Sequence, residues 1–249
     1  MEAVVDVARK TLGPVGVSLP GSLTTTPHVD LQRDAVRRLE RAGYRMVWVN
    51  EVLGKDALVQ VGTLLAATDR MAFGTCIANI WARPAQTMHA AAAQLAEAYP
   101  GRFVMGLGVG YPEQAASVGR EFGRPLTTMR DYIQRMGDPT WPPAPDAPYP
   151  RIIAANGPKM LALAGQIADG AMPAMVSAEF TTQARTTLGS DKLVVVGLPM
   201  TDGVDQATAA REHLEAGADH VTMLPPLDSD FSNGVDQLER LAPALTELG

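Results

Sequence analysis

The chain has 249 residues, a length typical of a single α/β barrel domain. Its net charge of −6 and the lack of a long basic run argue against nucleic acid or an anionic membrane as the partner. Cys76 is the only cysteine, which excludes an intramolecular disulfide and a thiolate metal cluster, and we expect a reducing, cytoplasmic location. No apolar run reaches 18 residues, so we expect neither a signal peptide nor a membrane span.

The predicted strands are short apolar runs that do not alternate with polar residues, as is typical of a parallel sheet covered on both faces. The sixth of them is weak, because Pro173 cannot donate a hydrogen bond to a neighbouring strand. The eight runs are residues 15–19, 46–50, 71–76, 103–108, 152–155, 170–174, 193–197 and 220–224.

Helical patterns lie between these strands. In residues 29–43 the apolar stripe contains Leu31, Ala35 and Leu39, and the pattern stops at Gly43. The arginines of this helix are interpreted as a solvated surface; they are Arg33, Arg37, Arg38 and Arg41. Strand–helix alternation repeated eight times predicts one (β/α)8 TIM barrel over residues 1–249.

Residues 137–150 interrupt this rhythm with six prolines in fourteen residues. No helix interior tolerates that density of proline, so the segment is predicted to be an extended loop that leads into strand five. A linker between two domains is the less favoured alternative, because the same strand–helix texture resumes after it.

In TIM barrels the ligand site lies at the carboxyl ends of the strands. Glu51 follows strand two, so its carboxylate is expected at the barrel mouth. It could transfer a proton or accept a hydrogen bond from a ligand ring N–H. A salt bridge with Arg83 or Lys55 is the alternative. The histidines are scattered, and no metal-ligand spacing or Gly-x-Ser-x-Gly elbow is present.

Strand four ends in alternating glycines, Gly106, Gly108 and Gly110. Glycine lets the backbone approach a flat ligand closely, although a tight barrel turn explains the pattern equally well. The dinucleotide-binding fingerprint is excluded, since its third glycine is missing.

The segment Asn156-Gly157-Pro158-Lys159 follows strand five and starts a helix. Free backbone N–H groups at a helix start favour an anion, and the Lys159 ammonium adds positive charge. Proline is well suited to the first helical position. The pattern therefore favours a phosphate or another ligand oxygen over an ordinary helix start with a solvated lysine.

Three longer segments together resemble the bacterial-luciferase-like superfamily, and more narrowly its actinobacterial branch of oxidoreductases that use the deazaflavin coenzyme F420. They are AGYRMVWVNEVLGKD, GTCIANIWARPAQTMHAAAAQLAEAYPGRFVMGLGVGYPE and PRIIAANGPKMLALAGQIADGAMPAMVSAEF. The resemblance covers residues 13–190, and residues 211–221 resemble the last strand region of the family.

This resemblance implies a luciferase-like TIM barrel with the flavin-type ring across the strand ends, F420 as cofactor with FMN as the alternative, and a homodimer. It places a non-proline cis peptide at Cys76-Ile77 under the ring. The residues that it implies for cofactor binding are Cys76, Ile77 and Ala78 for the ring, Gly108, Val109, Gly110 and Tyr111 for the ring or ribityl chain, and Ala154, Ala155, Asn156, Gly157, Pro158 and Lys159 for the phosphate end.

The chain departs from the family at two places. Sugar-phosphate dehydrogenases of this superfamily carry a histidine after the acid of strand two, whereas Val52 follows Glu51 here. A reaction of the glucose-6-phosphate type is therefore not expected, and Glu51 is left as the candidate proton carrier. Residues 189–204 are shorter than in relatives, which indicates either a trimmed barrel edge around strand seven or a join between two regions.

Three functions remain open from the sequence. The leading hypothesis is an oxidoreductase that transfers a hydride between F420 and a small organic substrate, with the redox chemistry supplied by the cofactor. The second is a monooxygenase that binds reduced FMN and inserts oxygen. The third is a barrel that binds the cofactor without turnover, which the missing histidine and the shortened region favour.

Overall fold

The computed structural model describes residues 3–22, 24–52, 54–227 and 230–248. The strands are β1 (Val15–Ser18), β2 (Met46–Val49), β3 (Ala72–Thr75), β4 (Ala78–Asn79), β5 (Phe103–Gly108), β6 (Arg151–Ala154), β7 (Gly170–Met172), β8 (Leu193–Pro199) and β9 (His220–Leu224). The helices are α1 (Val4–Leu12), α2 (Val29–Arg41), α3 (Ala57–Leu65), α4 (Ala85–Ala98), α5 (Pro112–Ser117), α6 (Pro125–Met136), α7 (Pro158–Ile167), α8 (Ala178–Leu188), α9 (Gln206–Glu215) and α10 (Phe231–Thr246). None of the helices in these ranges combines the length and the apolar character that crossing a bilayer requires.

The strands form a closed parallel barrel. β1 pairs with both β2 and β9, and the ring is completed by pairing of β3 with β5. β4 continues the line of β3 after a break at Cys76-Ile77 and also pairs with β5. Counted with β4 as part of β3, the barrel has eight strands, so the predicted (β/α)8 fold is confirmed.

All eight predicted runs are strands, with ends that agree to within two residues. β7 stops at Met172, directly before Pro173, as expected for a residue that cannot donate to the sheet. Within residues 189–204, where the resemblance predicts a shortening, β8 pairs with β7 on one side and β9 on the other. The barrel wall is therefore continuous at this strand. The proline-rich residues 137–150 contain neither helix nor strand, as predicted.

The barrel interior is filled by side chains that alternate with those facing the helices. Met46 and Trp48 of β2 belong to the interior cluster, together with Ile152 of β6. Helix α1 closes the amino-terminal end of the barrel, where Ala8 and Leu12 pack into the same cluster. We refer to this end, formed by α1 and the interior cluster around Trp48, as the floor.

A buried polar contact lies within the floor. The Trp48 indole N–H donates to His220 Nε2 at 3.0 Å, and His220 Nδ1 donates to the Gly13 carbonyl oxygen at 2.7 Å. Burial lowers the pKa of His220 to about 4. The neutral imidazole is therefore the form that this fold holds at neutral pH.

Helix α2 differs from its prediction in two respects. Leu31 is exposed, because the buried face is set one residue later and includes Gln32 and Val36. Arg38 is not simply solvated: its guanidinium contacts Asp236 and Glu239 of α10, each at 2.5 Å. The prediction missed this pairing because α10 lies about two hundred residues away along the chain.

Candidate functional site

The residues predicted for the site all lie at the carboxyl ends of the strands. Glu51 follows β2, residues 76–78 join β3 to β4, residues 109–111 follow β5, and residues 155–159 follow β6. Because the barrel strands are parallel, these segments meet at one end of the barrel, which we call the mouth.

Glu51 is held by a network of hydrogen bonds. Its side chain is 2% exposed, and its two carboxylate oxygens accept from the backbone N–H groups of Ala57 at 2.9 Å and Asn79 at 2.7 Å. The two terminal guanidinium nitrogens of Arg83 donate to the same oxygens at 2.5 and 3.2 Å. The salt bridge with Arg83 that was the alternative for Glu51 is therefore present. The hydrogen bonds from Ala57 and Asn79 tie the β2 loop to the start of α3 and to β4.

Arg83 and Asp56 extend this network. Arg83 also donates to Asp56 at 2.8 Å. Burial alone would lower the pKa of Arg83, but the hydrogen bonds and charges of Glu51 and Asp56 outweigh it and raise the pKa. Burial likewise acts to raise the pKa of Asp56, yet backbone N–H donors at the start of α3 and the Arg83 guanidinium lower it. Both side chains are therefore charged at neutral pH.

A cavity of about 420 Å³ opens beside this network. Lys55 lines it, and its ammonium donates to Asn50 Oδ1 at 2.7 Å. Burial lowers the pKa of Lys55 to about 8, against the opposing charge of Glu51. The wall is formed by Glu51, Val52, Gly54, Lys55, Asp56, Asn79, Trp81, Ala82, Arg83, Gln114, Ser117 and Val118. The cavity thus combines charged groups on one side with Trp81 and Val118 on the other.

The break between β3 and β4 contains the peptide that the resemblance singles out. The Cys76-Ile77 bond is cis, as expected, and the Cys76 N–H donates to the Val49 carbonyl oxygen at 2.7 Å. Burial raises the pKa of the Cys76 thiol to about 12, although a hydrogen bond with Ser18 opposes the rise. Cys76 is therefore a neutral thiol at the mouth. Ala78, also in the predicted site, is fully buried.

Two glycines at the end of β5 and just after it let neighbouring side chains pack closely at the mouth. A Cβ atom on Gly108 would lie 2.6 Å from Ile77 Cδ1, so a larger residue would collide with the side chain of the break. Gly110 has φ +60°, and a Cβ there would meet the Gln114 amide oxygen and the Asn79 side chain. Both positions require glycine, one for close packing and the other also for its left-handed backbone.

Hydrogen bonds with neighbouring residues hold the other two residues of the β5 loop, Val109 and Tyr111. The Val109 carbonyl oxygen accepts from the Trp81 indole N–H at 2.7 Å. The Tyr111 backbone N–H donates to Gln114 Oε1 at 2.9 Å at the start of α5, and its side chain is exposed. The ring of Tyr111 is therefore available at the rim of the mouth.

The turn after β6 is a helix start, as predicted. Gly157 precedes α7 in extended backbone, Pro158 takes the first helical position, and no side chain caps the helix. Among the described residues, the N–H groups of Gly157 and Lys159 donate to no protein acceptor, and Lys159 is exposed without a salt bridge. Asn156 Oδ1 accepts from the Ala174 N–H at 2.9 Å and thereby joins the turn to the β7 loop. Ala154 and Ala155 complete the turn.

The structure thus divides the predicted residues between two parts of the mouth. Glu51 lines the 420 Å³ cavity, whereas residues 154–159 lie outside its walls at the same end of the barrel. Sequence reasoning missed Asn79 and Trp81, which hold Glu51 and Val109 in place. Both residues lie in the segment CIANIWARP at the end of strand three, where a TIM barrel places its ligand site, and this position could have identified them.

The structure is a TIM barrel with a candidate ligand site at its strand ends. The family model described as luciferase-like monooxygenase matches residues 15–188, which is more than half of the chain. The chain therefore belongs to the luciferase-like monooxygenase family. This agrees with the resemblance found in its motifs.

Individual relatives are more distant. The chain is 27% identical over 176 residues to a Mycobacterium tuberculosis protein named as a coenzyme F420-dependent oxidoreductase, a match that covers 58% of this chain and 51% of the relative. The chain thus spans about half the length of that relative. Two solved structures share its fold, one an F420-dependent secondary alcohol dehydrogenase with an F420–acetone adduct and the other the oxygenating constituent of Pseudomonas putida 3,6-diketocamphane monooxygenase with FMN.

The two structural matches are close in geometry and remote in sequence. The dehydrogenase superposes with a TM-score of 0.75 at 16% identity and covers 93% of this chain and 98% of its own. The monooxygenase superposes with a TM-score of 0.71 at 10% identity and covers 94% and 98%. At such identities the likeness establishes the shared barrel and nothing finer.

Proposed function

We propose that the protein is an oxidoreductase that transfers a hydride between coenzyme F420 and a small organic substrate. Membership of the luciferase-like family supports the reaction class, and the name of the M. tuberculosis relative supports F420. The observation that carries the proposal is the uncapped start of α7, where the N–H groups of Gly157 and Lys159 and the Lys159 ammonium suit a phosphate.

The residues at the mouth fit a flat ring with a phosphate-bearing tail. Gly108 lets the Ile77 side chain pack directly against the β5 backbone, since a Cβ atom there would lie 2.6 Å from Ile77 Cδ1, and this close packing holds the Cys76-Ile77 segment on which the ring would lie. In this proposal residues 76–78 and 108–111 hold the ring and upper chain, and residues 154–159 hold the phosphate. When bound, the deazaflavin would supply the hydride chemistry.

The protein's own contribution would be binding, orientation and control of water. The cis peptide segment and the β5 loop would orient the ring, and the α7 turn would fix its tail. Glu51 stays a proposed proton partner, although its four hydrogen bonds favour a role in holding the β2 loop. The proton must then come from another group or from Glu51 after rearrangement of the network.

An FMN-dependent monooxygenase is the second candidate, favoured by the shortage of available cations. F420 carries a longer anionic tail than FMN and would require more positive charge. Of the two cations considered for that tail, Arg83 is engaged by Glu51 and Asp56, which leaves Lys159. One exposed cation at the start of α7 fits the single phosphate of FMN.

Turnover assays separate the two reactions. Oxidation of reduced F420 by a panel of small organic acceptors, without oxygen consumption, is the expected result for the leading proposal. Oxygen consumption that depends on reduced FMN would replace it with the monooxygenase. Binding of either cofactor without any turnover would support the non-catalytic barrel.

We also propose a homodimer in the cytoplasm. The dimer rests on the family resemblance, and the location rests on a sequence with a single cysteine. Sedimentation at micromolar concentration tests the first and cell fractionation tests the second. A monomer, or recovery outside the cytoplasm, would contradict them.

A further inference from the structure

The cavity beside Glu51 contains four ionisable side chains, and three of them are unsuited to proton transfer. Glu51 accepts four hydrogen bonds, including two from Arg83. Arg83 has a raised pKa and stays protonated. Asp56 has a lowered pKa and caps α3 by accepting from Leu58 and Val59. Each of these charges is fixed by partners of opposite charge or by backbone donors.

Lys55 is the fourth ionisable group and differs from the others. An ammonium carries three hydrogens, and one of them goes to the neutral oxygen of Asn50. Among the described residues Lys55 forms no salt bridge within 4.0 Å, since Glu51 and Asp56 are engaged by Arg83. Two N–H groups are thus left for a ligand in the cavity that Lys55 lines.

The surroundings of Lys55 also suit a group that changes its charge near neutral pH. The charged groups that line the same cavity as Lys55 are Glu51, Asp56 and Arg83, and the Tyr132 hydroxyl donates to the Arg83 carbonyl oxygen at 2.9 Å. Burial lowers the pKa of Lys55 to about 8, and the charge of Glu51 keeps it from falling further. General acids and bases work best with a pKa near the working pH.

We propose that Lys55 is the catalytic residue that exchanges a proton with the substrate in the oxidoreduction proposed above. It would supply the proton that the resemblance assigns to a histidine after the acid of strand two in sugar-phosphate dehydrogenases, and it lies four residues after Glu51 in the same loop. Glu51 then acts as a positioning residue that fixes the loop through Ala57, Asn79 and Arg83. This inference rests on the proposed function.

The proton balance is simple. In the reducing direction a substrate carbon doubly bonded to oxygen or nitrogen gains a hydride from a reduced deazaflavin or flavin. The π electrons move to the heteroatom, which takes a proton from the Lys55 ammonium. The resulting neutral amine of Lys55 then recovers a proton from water, and oxidation of the product runs the same steps backward.

The first experiment measures the titration of Lys55 in the wild-type protein without a cofactor. The protein is treated with acetic anhydride at a series of pH values, and acetylation of each of the four lysines is followed by mass spectrometry. Exposed Lys159 serves as the internal reference. We expect acetylation of Lys55 to rise with a midpoint near pH 8. No acetylation of Lys55 well above that pH would overturn the proposal.

The second experiment asks whether this proton is used. Reduced F420 and reduced FMN are each supplied with a set of aldehydes, ketones and enones. Lys55→Arg keeps the charge but cannot release a proton near neutral pH, so we expect kcat to fall by roughly 100-fold with cofactor affinity unchanged. The fall in wild-type kcat above pH 8 should disappear. Methylammonium should partly restore Lys55→Ala.

Lys192→Arg is the matched control, because Lys192 donates to the Ala168 carbonyl oxygen at 2.8 Å at the opposite end of the barrel. If Lys55→Arg does not fold, Lys55→Gln replaces it. Wild-type turnover that Lys55→Arg leaves unchanged would overturn the role of Lys55 alone. If the wild type turns over none of the acceptors with either cofactor, the proposed function itself fails and Lys55 has no proton to transfer.

Discussion

The floor and the mouth of the barrel are built from opposite kinds of contact. At the floor, Leu12 of α1 is fully buried and packs into the cluster around Trp48. The His220 imidazole is bonded at both nitrogens. At the mouth, Lys159 and Tyr111 are exposed.

This difference assigns stability to the floor and ligand binding to the mouth. The floor buries large apolar side chains and leaves its imidazole no hydrogen-bonding capacity. Within the described part of the chain, backbone N–H groups at the start of α7 and two ammonium hydrogens of Lys55 have no protein partners at the mouth. In TIM barrels the ends of the strands carry the function and the opposite face carries stability.

The largest expected effect comes from the floor. Leu12→Ala should lower the free energy of unfolding by about 2–5 kcal/mol, because it leaves a cavity in a fully buried cluster. Denaturant unfolding measures it, with Leu31→Ala on the exposed side of α2 as the control. Cofactor affinity of the folded variant should not change. A stable Leu12→Ala would contradict the role of α1 as the closing element.

His220 should make the floor sensitive to acid. Its pKa lies near 4 in the native protein against an ordinary value of 6.5. Between these values the unfolded chain binds a proton that the native chain does not. The free energy of unfolding should therefore fall as pH drops from 6.5 to 4, by up to about 3 kcal/mol at 1.36 kcal/mol per pH unit.

Urea unfolding at several pH values compares the wild type with His220→Gln, which can still bond to both Trp48 and Gly13. Burial also lowers the pKa of His89 and His213, so the difference between the two proteins isolates His220. Exposed His28→Gln is the control. If His220→Gln unfolds with the same pH dependence as the wild type, the buried imidazole does not cause the loss of stability in acid.

Substitution of Lys159 tests whether the mouth binds the phosphate of a cofactor. Lys159→Ala should weaken binding of F420 or FMN by about 1.5–3 kcal/mol, or roughly 10- to 150-fold, if its ammonium contacts the phosphate. Stability should not change, since the side chain is exposed. Fluorescence titration measures the dissociation constant, and Lys192→Arg is the control at the other end. Equal affinity of Lys159→Ala and wild type would exclude the phosphate role.

The smallest effect concerns strain at the mouth. Met175 has φ +56°, a left-handed conformation that is costly for a residue with a Cβ atom, and its side chain is exposed. Met175→Gly should stabilise the protein by up to about 1 kcal/mol, because the relief of strain exceeds the flexibility gained by the unfolded chain. Met175→Ala keeps the strain and should not. Destabilisation by glycine would show that the conformation is unstrained.

Sequence reasoning identified the barrel because its signal is local and repeated. Each buried strand appears as an apolar run, and the helices between them have their own periodicity. The start of α7 was equally local: glycine, proline and lysine stand together in the sequence and in space. The position of the break at Cys76-Ile77 came from the family resemblance.

What the sequence could not supply depends on distant partners. Helix α1 is absent from the predicted elements, because a helix of nine residues is marginal by itself and is stabilised by packing on the barrel end that it covers. Trp48 and His220 are 172 residues apart, and only barrel closure brings them together. The role of Lys55 is hidden for the same reason, since its burial follows from the surrounding loops.

The central claim is that the mouth holds a phosphate-bearing flavin or deazaflavin between the Cys76-Ile77 segment and the start of α7. Equilibrium titration of the apo-protein with F420 and with FMN, followed by fluorescence, tests it most directly. We predict saturable binding of at least one of them, weakened in Gly108→Val, whose side chain would collide with Ile77. Absence of binding to both, or equal affinity of Gly108→Val and wild type, would contradict it.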